Sequence, residues 1–223
     1  MTRRELLQRA AAAAMVPFSG SAAKKEDGNW PGFRGPGARG VADGFPTPTI
    51  WNADDSAGKL SGVLWRAEVP GLGHSSPVVW GNRVFVATAV RLSGKASLRI
   101  GAFGDAKSAD DNDEQKWMLL CFDKRSGKQL WEQTPHTGKP RTERHEKSTH
   151  ANSTLATDGK RLIAFFGSEG LYCFDIQGKL LWNKDLGAIN ISKFGIGWGY
   201  GSSPVLYQDR VIALCDDPGR PFL

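Results

Sequence analysis

Apolar and polar residues alternate in short runs along most of this 223-residue chain, and small turn-forming residues separate the runs. "SSPVVWGNRVFVATA" (75–89) reads as a strand, a Gly-Asn turn and a second strand, with β-branched and aromatic residues on either side. "SSPVLYQDRVIALC" (202–215) repeats that design, Pro204 answering to Pro77 and Arg210 to Arg83. "NSTLATDGKRLIAFF" (152–166) is a middle copy, aligned with one extra residue around its Asp-Gly turn. Asn-Gly and Asp-Gly pairs are among the strongest short hairpin signals. Two other stretches are near-copies, "CFDKRSGKQLWE" (121–132) and "CFDIQGKLLWNK" (173–184), whose tryptophans stand 51 positions apart. A period of tens of residues is the mark of a repeat architecture.

Each repeat therefore contains two hairpins, and the expected fold is all-β. Four short antiparallel strands with a tryptophan near the last form one blade of a β-propeller. A single blade cannot cover both its faces, so blades stack radially and the tryptophan fills the seam between neighbours. The 27 glycines and 8 tryptophans suit many turns and strands. Blade one is expected over 75–132 and blade two over 152–184, with blade three beginning at 202. Trp65, in "VLWRAEV", has the look of a fourth strand without the three before it. That makes roughly two and a half blades where closure takes about four to eight. The expectation is an N-terminal part of a longer propeller, whose residues 24–223 alone would self-associate through open strand edges.

The pattern Asp-x-x-x-Gly-Lys-x-x-Trp, carried by Asp123, Gly127, Lys128 and Trp131, resembles the repeat of the pyrroloquinoline-quinone (PQQ)-type propellers. Asp175, Gly178, Lys179 and Trp182 keep it one residue shorter. "NWPGFRGPGARG" and "VLWRAEVPGLGHSSPVVWGNRVFV" are also similar to exported bacterial members, so the likeness runs from Trp30 to the C-terminus. It implies a propeller of PQQ-like repeats. Its reach into function is short, because the family mixes oxidoreductases with proteins that bind no quinone.

The first segment, "MTRRELLQRAAAAAMVPFSGSAAKK", has an arginine-rich start, a weakly apolar stretch and small residues before Lys24. It reads as a removable signal peptide over 1–23, and "TRRELLQ" resembles the twin-arginine export motif. The domain reading is a signal over 1–23, an extended segment over 24–62 and a partial propeller over 63–223. The expected location is periplasmic or otherwise exported, and no run is long enough for a membrane span. Of the formal net charge of +6, +2 lies in residues 1–23. The mild remainder, without a basic helix, argues against a nucleic-acid partner. Cys121, Cys173 and Cys215 form no CxxC motif, and the first two read as small buried hydrophobes rather than a bridge.

Candidate chemistry falls on the long connections 66–74, 91–116, 133–151 and 185–201, which propeller topology gathers at one mouth of the central channel. "DAKSADDNDEQK" (105–116) has a net charge of −3 and "KPRTERHEK" (139–147) of +2, so the two loops are expected to pair with each other. His74, His145 and His150 lie near the starts of inner strands, with Arg144 beside them. In "FGIGWGYGSSP" (194–204), Trp198 and Tyr200 alternate with glycine and are the best candidates for ligand-facing aromatics. Its glycine spacing is not the dinucleotide fingerprint.

Two functions follow from the resemblance. The first is an exported binding or scaffold module with a protein or polymer partner on the channel mouth. The lipid-anchored outer-membrane assembly proteins are relatives of that kind, although no cysteine follows the signal-like segment here. The alternative is a quinoprotein alcohol or sugar dehydrogenase using PQQ and calcium, its catalytic residues lying in further blades. Many alcohol-oxidising members carry an adjacent Cys-Cys pair, which this chain lacks. No catalytic, metal or cofactor-binding residue is identifiable here.

Overall fold

The computed structural model describes residues 28–54, 60–99, 107–193, 195–219 and 221–223. The signal-like residues 1–23 and Phe194 lie outside them. Blade one consists of β1 (Val78–Trp80), β2 (Arg83–Arg91), β3 (Gln115–Asp123) and β4 (Gln129–Gly138), antiparallel and paired in chain order. Blade two repeats the order with β5 (Ala156–Thr157), β6 (Arg161–Phe165), β7 (Leu171–Asp175) and β8 (Leu180–Lys184). A small hairpin, β9 (Ser192–Lys193) with β10 (Ile196–Gly197), follows, and β11 (Val205–Tyr207) with β12 (Arg210–Ile212) opens the third unit. The all-β propeller-blade architecture expected from the repeats is what the chain forms.

Period-two alternation decides what each sheet face covers. On β2, Phe85, Ala87 and Ala89 turn towards blade two, where they meet Leu155, Leu162, Ala164 and Phe174. The intervening Val84, Val86 and Val90 turn the other way and pack with Trp65 and Ala67. On β6 the neighbours Ile163 and Phe165 pack against Leu206 and Val211 of the third unit. Each such valine, leucine, isoleucine or phenylalanine, fully removed from water, contributes about 1.5–3 kcal/mol. Cys121 and Cys173 sit at 0% exposure as free thiols within these layers, as small hydrophobes do.

Three inner turns contain two residues each, Gly81–Asn82, Gly159–Lys160 and Gln208–Asp209, the middle one closed by Asp158 N–H donating to Arg161 O at 3.4 Å. The middle copy therefore has no extra residue, correcting the alignment that begins at Asn152. The first residue of each turn has a positive φ, of 57°, 83° and 55°.

The outer turns show why the dozen residues recur. Asp123 Oδ1 accepts the N–H groups of Arg125 and Ser126, and Asp175 Oδ1 those of Gln177 and Lys179, so each aspartate fastens its own turn. Each following glycine is then a floor for an indole from the preceding unit. Trp65 lies over Gly127 and donates its indole N–H to Lys124 O at 2.8 Å. Trp131 lies over Gly178 and donates to Ile176 O at 3.3 Å. The seam is therefore directional, with the ring from one unit and the bare backbone from the next.

Two expectations change here. Trp131 and Trp182 are not equally buried, Trp131 being half-buried and Trp182 41% exposed. No glycine turn lies beneath Trp182 among the described residues, and this accounts for the difference. Trp65 occupies the seam position without belonging to a strand, because no third strand stands beside it among the described residues.

Ahead of the blades, residues 29–31 form an arm along the inner edges. Trp30 exchanges backbone hydrogen bonds with Val79 of β1 at 2.7 and 2.9 Å. Pro31 O accepts the N–H of Thr157 in β5 at 2.8 Å, and Asn29 Oδ1 that of Gly81 at 2.7 Å. Among the described residues no helix is long and apolar enough to cross a membrane.

Candidate functional site

Three of the long connections are stitched into one surface. Ser108, in the β2–β3 connection, bridges to His145 in the β4–β5 connection, and Ala109 N–H donates to Arg144 O at 2.8 Å. The β8–β11 segment closes the surface, with Gly197 N–H reaching Ser108 Oγ at 3.0 Å and Asn152 Nδ2 reaching Tyr200 O at 2.9 Å. The oppositely charged loops thus pair with each other. Asp111 meets Arg144 at 2.6 Å, Ser108 Oγ donates to Glu143 at 2.5 Å, and Arg99, upstream of the acidic run, meets Glu146 at 2.6 Å.

One of these pairs is far from solvent. Arg144 is 2% exposed, and its Nε donates to Asp111 Oδ2 at 2.7 Å. Its remaining N–H groups go to the carbonyls of Ser97, His145 and Ser148. Asp111 Oδ1 stands 3.5 Å from His150 Nε2. Burial opposes ionisation of Asp111, but His150 and the Arg144 guanidinium outweigh it and hold its carboxyl below the ordinary carboxylate range. The pair is therefore a structural rivet between two loops: Arg144 holds Oδ2, while Oδ1 faces His150 Nε2, a buried nitrogen with no hydrogen-bond partner among the described residues.

The sequence-selected residues divide as follows. Arg144, His145, His150, Trp198 and Tyr200 come together. Trp198 stacks on His145 with ring centroids 5.0 Å apart and planes 4° from parallel, and it remains 41% exposed. Tyr200 packs edge-on to Phe165 at 4.6 Å over Gly167. His74 stands apart: its side chain is exposed and its backbone N–H bonds Ala151 O at 3.0 Å.

Two small clefts open beside this surface. The narrower, about 20 Å³, has His150, Asn152, Thr142, Ser168, Tyr200 and Glu169 on its walls. The wider, about 120 Å³, is lined by Asp110, Asp111 and Pro140, and shares Thr142, Glu143 and His150 with the first. Glu169 was not singled out by sequence, since "GSEGLY" reads as an exposed turn between strands. In the fold it ends a 3-10 turn, Gly167–Glu169, and is 5% exposed. Its Oε1 accepts the backbone N–H of Arg141 at 3.0 Å, whereas its buried Oε2 has no hydrogen-bond partner among the described residues.

Burial pushes the Glu169 carboxyl up to about 7, and the Arg141 hydrogen bond only partly offsets this. The fold therefore favours the protonated acid. Its stabilising effect is complete below pH 4.5, the ordinary value, and is lost as pH rises through about 7. Glu169→Gln, which mimics the neutral acid, should flatten that dependence. In urea unfolding, the native chain should lose about 2–3 kcal/mol more than the variant between pH 4.5 and pH 8. Parallel pH profiles for the two proteins would refute this assignment.

Asp111 is engaged by Arg144, and among the described residues no group of three His, Cys, Asp or Glu side chains is placed to hold a metal.

The family whose model matches residues 115–219 is described as outer membrane protein assembly factor BamB. None of the curated proteins compared matches the chain. The matched span holds the outer hairpin of blade one, all of blade two and the hairpin that opens the third unit. Repeat motif, blade topology and family match agree: the chain is built of β-propeller blades, and residues 115–219 carry PQQ-like repeats.

Proposed function

We propose that this chain is an exported binding module whose channel-mouth surface docks a protein partner outside the cytoplasm. The supporting observation is the mouth itself. Two connections are locked together by the buried Arg144–Asp111 pair and a third is bonded to them through Gly197 and Tyr200, and on that base an indole stays exposed, stacked on His145. Loops carried on a stiff scaffold suit recognition, and a partly exposed tryptophan is a favoured anchor for a protein partner. The matched family is described as an assembly factor for outer membrane proteins, a role exercised on other proteins. Export rests on "TRRELLQ" and the small-residue stretch before Lys24.

Site-specific photo-crosslinking in the producing cell tests the proposal. A photoreactive amino acid at position 198 should give a discrete adduct with one protein. The same group at Glu132, on the exposed outer strand β4, should give none. Trp198→Ala should weaken binding of the captured protein by about tenfold or more without lowering the melting temperature. Equal labelling from both positions, or from neither, would remove the mouth as the docking surface.

A further inference from the structure

The two clefts beside the mouth share an electrostatic character. Asp110, Asp111, Glu143 and Glu169 line them, and among the described residues no lysine or arginine does. The nearest cations are engaged elsewhere. Arg144 is bound behind Asp111, and the Arg141 guanidinium grips both oxygens of Asp185 at 2.6 and 3.0 Å. An acidic lining alone would be a solvated surface. The independent observation is Glu169 itself, which lines the narrower cleft and whose buried Oε2 has no hydrogen-bond partner among the described residues. Leaving such an acceptor unsatisfied is unfavourable unless something outside the chain supplies a donor.

The space selects the donor. The narrower cleft, about 20 Å³, accommodates a water-sized group, whereas a planar guanidinium is too broad for it. A compact ammonium with three N–H donors suits a wall of Thr142, Ser168 and Asn152 oxygens. The wider cleft of about 120 Å³, joined to it along Thr142 and His150, leaves room for an alkyl stem. We propose that the paired clefts receive a primary ammonium group, that of a lysine presented by the partner protein, with Glu169 Oε2 as its counter-charge. The inference rests on the mouth being a binding surface and specifies what that surface recognises.

Such binding must draw the proton from Glu169, whose carboxyl is held near 7. Affinity should therefore rise with pH between about 6 and 8. The groups facing Glu169 are Arg141, Asp185 and Tyr172, and His150 and Glu143 share its cleft.

Calorimetric titration of the full chain with the capped tripeptide acetyl-Gly-Lys-Gly-amide tests the proposal, with its Nε-acetylated form and ammonium chloride as comparisons. The lysine peptide should bind in the millimolar range, and the acetylated peptide at least about tenfold more weakly. Glu169→Gln should lose about tenfold and its pH slope, while unfolding as cooperatively as the native chain. Ammonium chloride should compete only at higher concentration. Equal affinity for both peptides, no binding, or a slope that survives in Glu169→Gln would overturn the assignment. If ammonium chloride matches the peptide, the site takes a free cation and the lysine is wrong. These failures leave the position-198 adduct untouched, so they are distinct from failure of the docking surface.

Discussion

Replacing Asp111 with alanine should destabilise the protein by about 3–5 kcal/mol, because it strands the buried Arg144 guanidinium without a counter-charge. The three carbonyls that also bond Arg144 remain, but they cannot neutralise a cation that is 2% exposed. Replacing both partners together, as Asp111→Leu with Arg144→Met, should be far milder than the single change, since paired apolar residues avoid the desolvation of either ion. Chemical unfolding of the three variants at neutral pH reads this directly. A single variant within about 1 kcal/mol of the native chain would mean that solvent reaches the pair. The pH dependence has the sign opposite to that of Glu169. A carboxyl held below its usual range stabilises the fold above the unfolded value of 3.8 and stops doing so as pH falls through the folded one. Acid below pH 3.8 should therefore loosen the mouth while Glu169 stays protonated.

The second large effect is expected at Gly159. Its φ of +83° is in the left-handed region, and a Cβ there would come within 2.2 Å of Trp80 Cε2. Gly159→Ala should cost about 3–5 kcal/mol, combining the backbone penalty with an overpacked seam. A double-mutant cycle separates the two. In a Trp80→Ala background the steric part vanishes, and Gly159→Ala should then cost only about 1–2 kcal/mol. An additive cycle would show that the indole does not rest on that glycine. Gly127 under Trp65 and Gly178 under Trp131 should respond in the same direction, with clearances of 2.6 and 2.9 Å.

Strands and hairpins were legible because a half-buried strand writes its two faces as alternate residues. Phe85, Ala87 and Ala89 against Val84 and Val86 could be sorted without coordinates. The tryptophan repeats pointed to a seam for the same reason. What could not be read was its direction, since only the packed structure shows that Trp131 lands on Gly178 rather than on its own turn. Trp182 was misjudged on that account: an identical motif has a different environment when no glycine turn lies beneath it. β9 and β10 were hidden because their pairing uses backbone groups in a glycine-rich stretch with little alternation.

At the mouth, composition conveyed the opposite charges of the two loops but not their depth. Asp111 sits in a run of acids that reads as solvated, and only the Arg144 loop folded over it makes it internal. Glu169 was invisible for a related reason. A Ser-Glu-Gly turn is ordinarily exposed, and its burial comes from residues 139–142 and 189, distant in sequence, passing beside it.

The arm at Trp30 joins residues that a ribosome makes far apart in time. Its contact in β5, Thr157, is synthesised about 130 residues later, which at 5–20 residues per second is a delay of roughly 6–25 s. Until then Pro31 has no second blade to hold, whereas hairpins such as β1–β2 close within their own few residues. The arm is thus a late clasp, and its docking reports that the first two blades have met. Amide exchange on a nascent or refolding chain would see this order, with Trp30 and Thr157 gaining protection together, after β2 and β3.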